Sequence, residues 1–185
     1  MAKETIITVF GSSRPHQGDP DYEEARALGR VLAENGFAVC SGGYGGVMAG
    51  VSQGAKEAGG KTYGVTAEFF SARVNPWIDV EVRVGTWQER LFELIRLADG
   101  FVACKGGTGT LVELAVVWEM LNKKVTAAKP FAVLGDFWQP ILDRVREVEL
   151  GHSAPWGEAN GRLVHVAAAP GDVARHLTEK LKTEK

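Results

Sequence analysis

Apolar residues fall into two interleaved patterns along the chain. Short, nearly unbroken runs occupy residues 5–10 (TIITVF), 37–40, 62–66, 100–104 and 130–135. Runs this short and continuous, bounded by glycine or proline, predict strands buried on both faces. Residues 80–84 and 163–167 read as two further short strands. Between the strands, apolar residues recur at helical spacing. Tyr22, Ala25, Leu28, Val31 and Leu32 form one stripe within 21–35, and Asn35-Gly36 is its stop. A second helix is expected over 47–58, ended by Gly59-Gly60. Trp87, Leu91, Leu94, Ile95 and Ala98 form a third stripe within 87–98. A fourth follows residue 110 and runs to about 123. Trp138, Ile141, Leu142 and Val145 mark a fifth within 136–150. A last helix follows Pro170 and Gly171 and runs into a charged tail, 179–185, that is expected to fray. Strand and helix alternate throughout. The expected class is α/β: a Rossmann-like, doubly wound, largely parallel sheet with helices on both faces.

Composition narrows this picture. At 185 residues with no internal repeat, one domain spanning 1–185 is expected. The formal net charge of −2 argues against non-specific nucleic-acid binding. No apolar stretch is long enough to span a membrane and no signal-peptide core is visible, so a cytoplasmic location is expected. Cys40 and Cys104 each end an apolar run, which predicts buried free thiols and a reducing compartment. Sparse Asn and Gln beside many charged residues lean towards a heat-tolerant source. His16, His152, His165 and His176 lack metal-ligand spacing, so no metal and no cofactor is expected.

The 23 glycines are the departure from ordinary composition, and they cluster where strands end. Gly106, Gly107, Thr108, Gly109 and Thr110 lie where the strand over 100–104 hands over to a helix. Glycine there lets backbone approach a ligand, and the first helical N–H groups suit a phosphate. Gly11, Ser12, Ser13 and Arg14 follow the first strand; Ser41 to Gly46, with Gly42 and Gly43, follow the second. Ligands of doubly wound sheets bind beyond the carboxyl ends of strands, so the three loops should share one crevice and one phosphate-bearing ligand. No P-loop is present, and the first turn lacks the Gly-x-Gly-x-x-Gly fingerprint, so ATP and NAD in their usual modes are disfavoured. The irregular stretch 67–79 is long enough for a binding loop or lid over residues 69–77. The polar, aromatic loop 151–161 carries His152, Pro155 and Trp156. Glu113 is awkward beside a phosphate. Either Thr110-x-x-Glu113 is a capping box, or Glu113 faces the ligand. Arg90 lies one residue off its helix's apolar stripe, which by pattern alone reads as a surface or ion-pair arginine.

The run Gly106-Gly107-Thr108-Gly109-Thr110-Leu111-Val112-Glu113 resembles the P-G-G-x-G-T-x-x-E signature of the LOG (Lonely Guy) family. These are nucleoside 5′-monophosphate phosphoribohydrolases, long mislabelled lysine decarboxylases. Gly11-Ser12-Ser13 is similar to the family's first-strand turn, and Ser41 to Met48 to its G-G-G-x-x-G-x-M stretch. Glu89-Arg90 matches the family's Arg-Lys pair by position. The resemblance covers most of the chain. It implies that Arg90 and Glu113 carry N-glycosidic cleavage. It also implies that Gly11, Ser12, Ser13, Gly42, Gly43 and residues 106–110 hold a nucleoside monophosphate or related phosphate-bearing molecule. The family is typically homodimeric, with larger assemblies in some subgroups, and the helix carrying Trp118 and Met120 is apolar on more than one face. Lys105 stands for the signature proline, Leu91 for the lysine and Gln88 for the preceding histidine; these departures leave the base open. The alternative is a non-catalytic nucleotide or cofactor carrier of the same fold. Pyridoxal-dependent lysine decarboxylation is disfavoured, because neither the length nor any motif supplies its lysine site.

Overall fold

The computed structural model describes residues 4–151 and 161–183. In order, the elements are β1 (Ile6–Phe10), α1 (Pro20–Glu34), β2 (Ala38–Ser41), α2 (Val47–Glu57), β3 (Thr62–Ala67), β4 (Val80–Val84) and α3 (Trp87–Leu97). Then come β5 (Gly100–Ala103), α4 (Thr108–Asn122), β6 (Phe131–Leu134), α5 (Gln139–Gly151), β7 (Val164–Ala167) and α6 (Pro170–Thr183). The expected loop 151–161 lies almost wholly outside the described residues.

The strands form one seven-stranded sheet in the order β4-β3-β2-β1-β5-β6-β7. Every pairing is parallel, so the expected largely parallel sheet is parallel throughout the described residues. Strand order reverses between β1 and β5, whose register aligns Phe10 with Ala103. At that reversal the loops after β1 and β5 leave on opposite faces and open a crevice.

The continuous apolar runs are explained by burial on both faces. Phe10, Phe101, Ala103, Phe131 and Val133 pack under α3, α4 and α5. Their alternates Ile7, Val9, Val102, Ala132 and Leu134 pack under α1, α2 and α6. Phe10, Phe101 and Phe131 form a ladder across three strands, at 6.2 and 5.8 Å between ring centroids. Trp118 of α4 is buried in the core and Met120 packs against it, so much of that helix's apolar surplus is used inside the chain's own core. Cys40 and Cys104 are free and buried as expected, and burial pushes the Cys40 thiol up to about 12.

α1 and α2 lie unusually close. A Cβ on Gly29 would stand 1.9 Å from the Val51 carbonyl oxygen, and one on Gly54 1.8 Å from that of Arg26. These glycines, which interrupt good helical patterns, set the distance between the two helices and hence the position of the β1 and β2 loops above them. No helix among the described residues is long and apolar enough to cross a membrane.

Candidate active site

A cavity of about 780 Å³ opens over the β1/β5 reversal. Its walls include Gly11, Ser12 and Ser13 after β1, Gly106 to Thr110 at the start of α4, and Arg90 and Glu113. Ser12 joins all three glycine loops: its N–H donates to the Lys105 carbonyl at 3.2 Å, and its carbonyl accepts from the Val47 N–H at 2.8 Å. Loops remote in sequence are thus one hydrogen-bonded unit.

The glycines divide by what surrounds them. A Cβ on Gly11 would meet Val47, and one on Gly106 would meet the Thr110 hydroxyl at 2.2 Å. Gly46 adopts φ +67° with Ser12 and Ser13 backbone closing on it. These positions serve packing. Gly107 and Gly109 have open space where a Cβ would be, so backbone there is free to be approached by a ligand. Gly107 is the N-cap of α4 and no side chain caps the helix. The N–H groups of Thr108, Gly109 and Thr110 therefore lack intrahelical acceptors and point out of the positive end of the helix dipole.

The capping alternative for Glu113 fails on this geometry. Thr110 is the third residue of α4, not its N-cap, and is buried against Gly106. The capping box of this region belongs to α3: the Thr86 hydroxyl accepts from the Glu89 N–H at 3.2 Å, and the Glu89 carboxylate accepts from the Thr86 N–H at 2.9 Å. That box fixes the first turn of α3 and aims Arg90 inward.

Arg90 is not a surface residue but 7% exposed. Its Nε donates to the Val65 carbonyl at 2.8 Å, and its guanidinium lies over the rings of Tyr44 and Phe70 at 5.3 and 5.6 Å. A Cβ on Gly42 would fall 1.5 Å from Arg90 Nη2, so only glycine leaves room for the guanidinium. Gly42 and Gly43 do not line the cavity. Gly42 backs Arg90, and Gly43, at φ +75°, lets the loop turn past Gly64 and Thr66.

Arg90 Nη1 stands 4.0 Å from a Glu113 carboxylate oxygen. At that distance they are charge neighbours and not a bidentate pair. Among the described residues no donor hydrogen-bonds Glu113. Desolvation raises its carboxyl to about 7, and the Arg90 charge only partly offsets this. Burial likewise lowers the Arg90 pKa. Each group bears a desolvation cost that their mutual attraction does not cancel, which is common where a ligand completes a site.

Lys105, in the proline position, is half exposed and pairs with Asp21 of α1 at 3.0 Å. It closes the cavity rim with a neutralised pair. Of the expected lid, Phe70 and Ala72 line the cavity and Trp77 does not; the Trp77 carbonyl accepts from the Thr62 hydroxyl at 2.6 Å. Asn75 pins the segment to the β2 loop through Gly43 and Tyr44 carbonyls. Trp87 and Phe137 also line the cavity. Phe137 was legible only as an aromatic just after an expected strand. His165 of β7 and His176 of α6, the next helix in the chain, stack at 4.2 Å on the β7 edge, away from these residues; no group of three metal-capable side chains occurs among the described residues.

A carboxylate held close to a guanidinium, next to an uncapped helix start, can balance positive charge on a sugar whose phosphate rests on the helix.

Residues 4–149 match the model of the SLOG cluster4 family. The chain is similar to the rice cytokinin riboside 5′-monophosphate phosphoribohydrolase LOG (Oryza sativa subsp. japonica), 36% identical over 96% of this chain and 72% of that one. Among solved structures it is similar to the molybdenum cofactor binding protein of Rippkaea orientalis, with TM-score 0.73 and 27% identity over 100% of this chain and 99% of that one. It is also similar to the molybdenum cofactor carrier protein of Chlamydomonas reinhardtii, with TM-score 0.72 and 25% identity over 97% and 99%. The chain belongs to the SLOG cluster4 family and, with the rice phosphoribohydrolase, to the LOG family.

Proposed function

We propose that the chain is a single nucleotide-binding domain that hydrolyses the N-glycosidic bond of a nucleoside 5′-monophosphate. Water adds its oxygen to the anomeric carbon, the C–N bond breaks with its electron pair going to the base, and the base leaves protonated. The products are free base and ribose 5-phosphate. The observation that carries this reading is the Glu113 carboxylate, without a hydrogen bond from the described residues and 4.0 Å from Arg90 at the wall of the cavity.

In this reading the N–H groups at the start of α4 and the Thr110 hydroxyl take the 5′-phosphate, and Ser12 and Ser13 face it from the β1 turn. The ribose then lies towards Glu113. Positive charge builds near the anomeric carbon in the oxocarbenium-like transition state, and ionised Glu113 stabilises it or activates water. Arg90 favours the ionised form of Glu113 by its charge. Phe70 covers the base. Similarity to the rice phosphoribohydrolase over nearly the whole chain supports the reaction class. We place the protein in the cytoplasm as a homodimer, with Val112 and Ala115 on the outward face of α4 available to a second copy.

A second reading, a non-catalytic carrier of a nucleotide or cofactor, is favoured by the likeness to molybdenum cofactor binding and carrier proteins along the full chain. Incubation with AMP and other nucleoside monophosphates separates the two. Release of base that Glu113→Ala abolishes supports the hydrolase. Tight binding without turnover supports the carrier and sinks the hydrolase.

A further inference from the structure

The cavity extends to both sides of the α4 start, and a nucleoside monophosphate uses only one. Towards β2 and β3 it is walled by Tyr44, Phe70 and Trp87, where the base is placed above. On the opposite side Phe137, from the connection between β6 and α5, also lines it. β3 and β6 are separated in the sheet by β2, β1 and β5, so the strands that lead to Phe70 and Phe137 are four strand spacings apart, about 19 Å at ~4.8 Å each. The phosphate-binding backbone follows β5 and β1, and so lies between them.

Phe137 is a built surface and not a stray exposed ring. It is 46% exposed, yet its ring packs edge-on against Trp138 at 4.9 Å and 87°. Trp138 is buried, and its indole N–H donates to the Cys104 carbonyl at 2.9 Å, at the foot of the phosphate loop. The exposed face is thereby held in fixed relation to that loop. Stacking on such a ring accepts any flat heterocycle and costs little ordering.

We propose that the cavity takes a nucleotide whose phosphate carries a second ring-bearing group. One base lies against Phe70, a diphosphate bridges the start of α4, and the second ring stacks on Phe137. The Gly-x-Gly-x-x-Gly turn is absent, so such a dinucleotide does not use the usual fingerprint. It spans the β1 and β5 loops that Ser12 joins. The inference rests on the phosphate placement of the proposed function but not on turnover.

Calorimetric titration of the Glu113→Gln chain, which keeps the shape of the site and suppresses hydrolysis, tests it with AMP, ADP and diadenosine diphosphate. Diadenosine diphosphate is expected to bind roughly tenfold more tightly than AMP or ADP, from one added stack. Phe137→Ala should remove that advantage and change AMP affinity by much less; Phe137→Leu serves if the alanine variant does not fold. Equal affinity for diadenosine diphosphate and ADP overturns the inference, as does an advantage that survives loss of Phe137. Base release from AMP by the wild-type chain, without the dinucleotide advantage, leaves the hydrolase and removes the second ring site. The reverse pattern, a Phe137-dependent advantage with no base release from any nucleotide, keeps the ring site and removes the hydrolase.

Discussion

Arg90 and Glu113 approach to 4.0 Å across the cavity wall, with 9% and 16% of their side chains exposed. Arg90 comes from α3 and Glu113 from α4, so the contact exists only because both helices pack on the same face of the sheet. Replacing either partner should reveal what the pair does. Glu113→Gln is expected to lower base release by about 10²–10⁴-fold, the range for loss of a catalytic carboxylate. Arg90→Met should lose about 10²-fold. Steady-state kinetics with AMP measure both, and wild-type rates in Glu113→Gln would remove the carboxylate from the mechanism.

The pH profile follows from the environment of Glu113. Ionised Glu113 is the working form, and its pKa is raised from 4.5 to about 7. The rate is therefore expected to climb with pH and level off above about 7. Arg90 holds that pKa down, so Arg90→Met should move the inflection to higher pH. Titration of the substrate phosphate would not shift with this substitution, which identifies the group.

The same shift links to stability. A carboxyl whose pKa is higher in the folded than in the unfolded chain binds its proton more tightly when folded. Its contribution is most favourable below the unfolded value and is lost as pH rises towards the folded one. A rise from 4.5 to about 7 corresponds to about 3 kcal/mol at ~1.4 kcal/mol per tenfold. Urea unfolding of wild type and Glu113→Gln at pH 4 to 8 should show their difference moving against wild type by an amount of this order. A constant difference would show that Glu113 is not held in a desolvated site.

Gly42→Ala should imitate loss of Arg90. The new methyl would occupy the place of Nη2, at 1.5 Å, and of the Met48 sulfur, at 2.6 Å. Base release should fall by about 10²-fold, as for Arg90→Met. Combining the two substitutions should cost little more than either one, because both remove the same guanidinium. Additive losses in the double variant would show that Gly42 acts by another route.

Oligomeric state is checked by light scattering. A dimer is expected, and Val112→Glu on the outward face of α4 should shift it towards monomer without unfolding the chain. A wild-type monomer at all concentrations would remove the proposed α4 interface.

The sequence by itself determined the architecture. Its apolar runs are continuous because β1, β5 and β6 are buried on both faces, and the helical stripes of α1 and α3 are regular because those helices cover the sheet with one side. It also located the three strand-end loops by their glycines and small polar residues, although Gly11, Gly46 and Gly106 turn out to serve packing. Some relationships were not legible, because they depend on which elements lie side by side. Arg90 reads as a surface residue until the capping box Thr86–Glu89 and the tight fit against Gly42 turn it inward. Thr110-x-x-Glu113 can also be read as a cap until Gly107 is seen to begin the helix. Phe137 has no periodic pattern; its place beside the loop after β5 comes from the bond between Trp138 and Cys104, which only the pairing of β5 with β6 brings into reach. Period and composition are local properties that a chain displays along its length. The enclosure that raises the Glu113 pKa is a property of packing, and only tertiary structure supplies it.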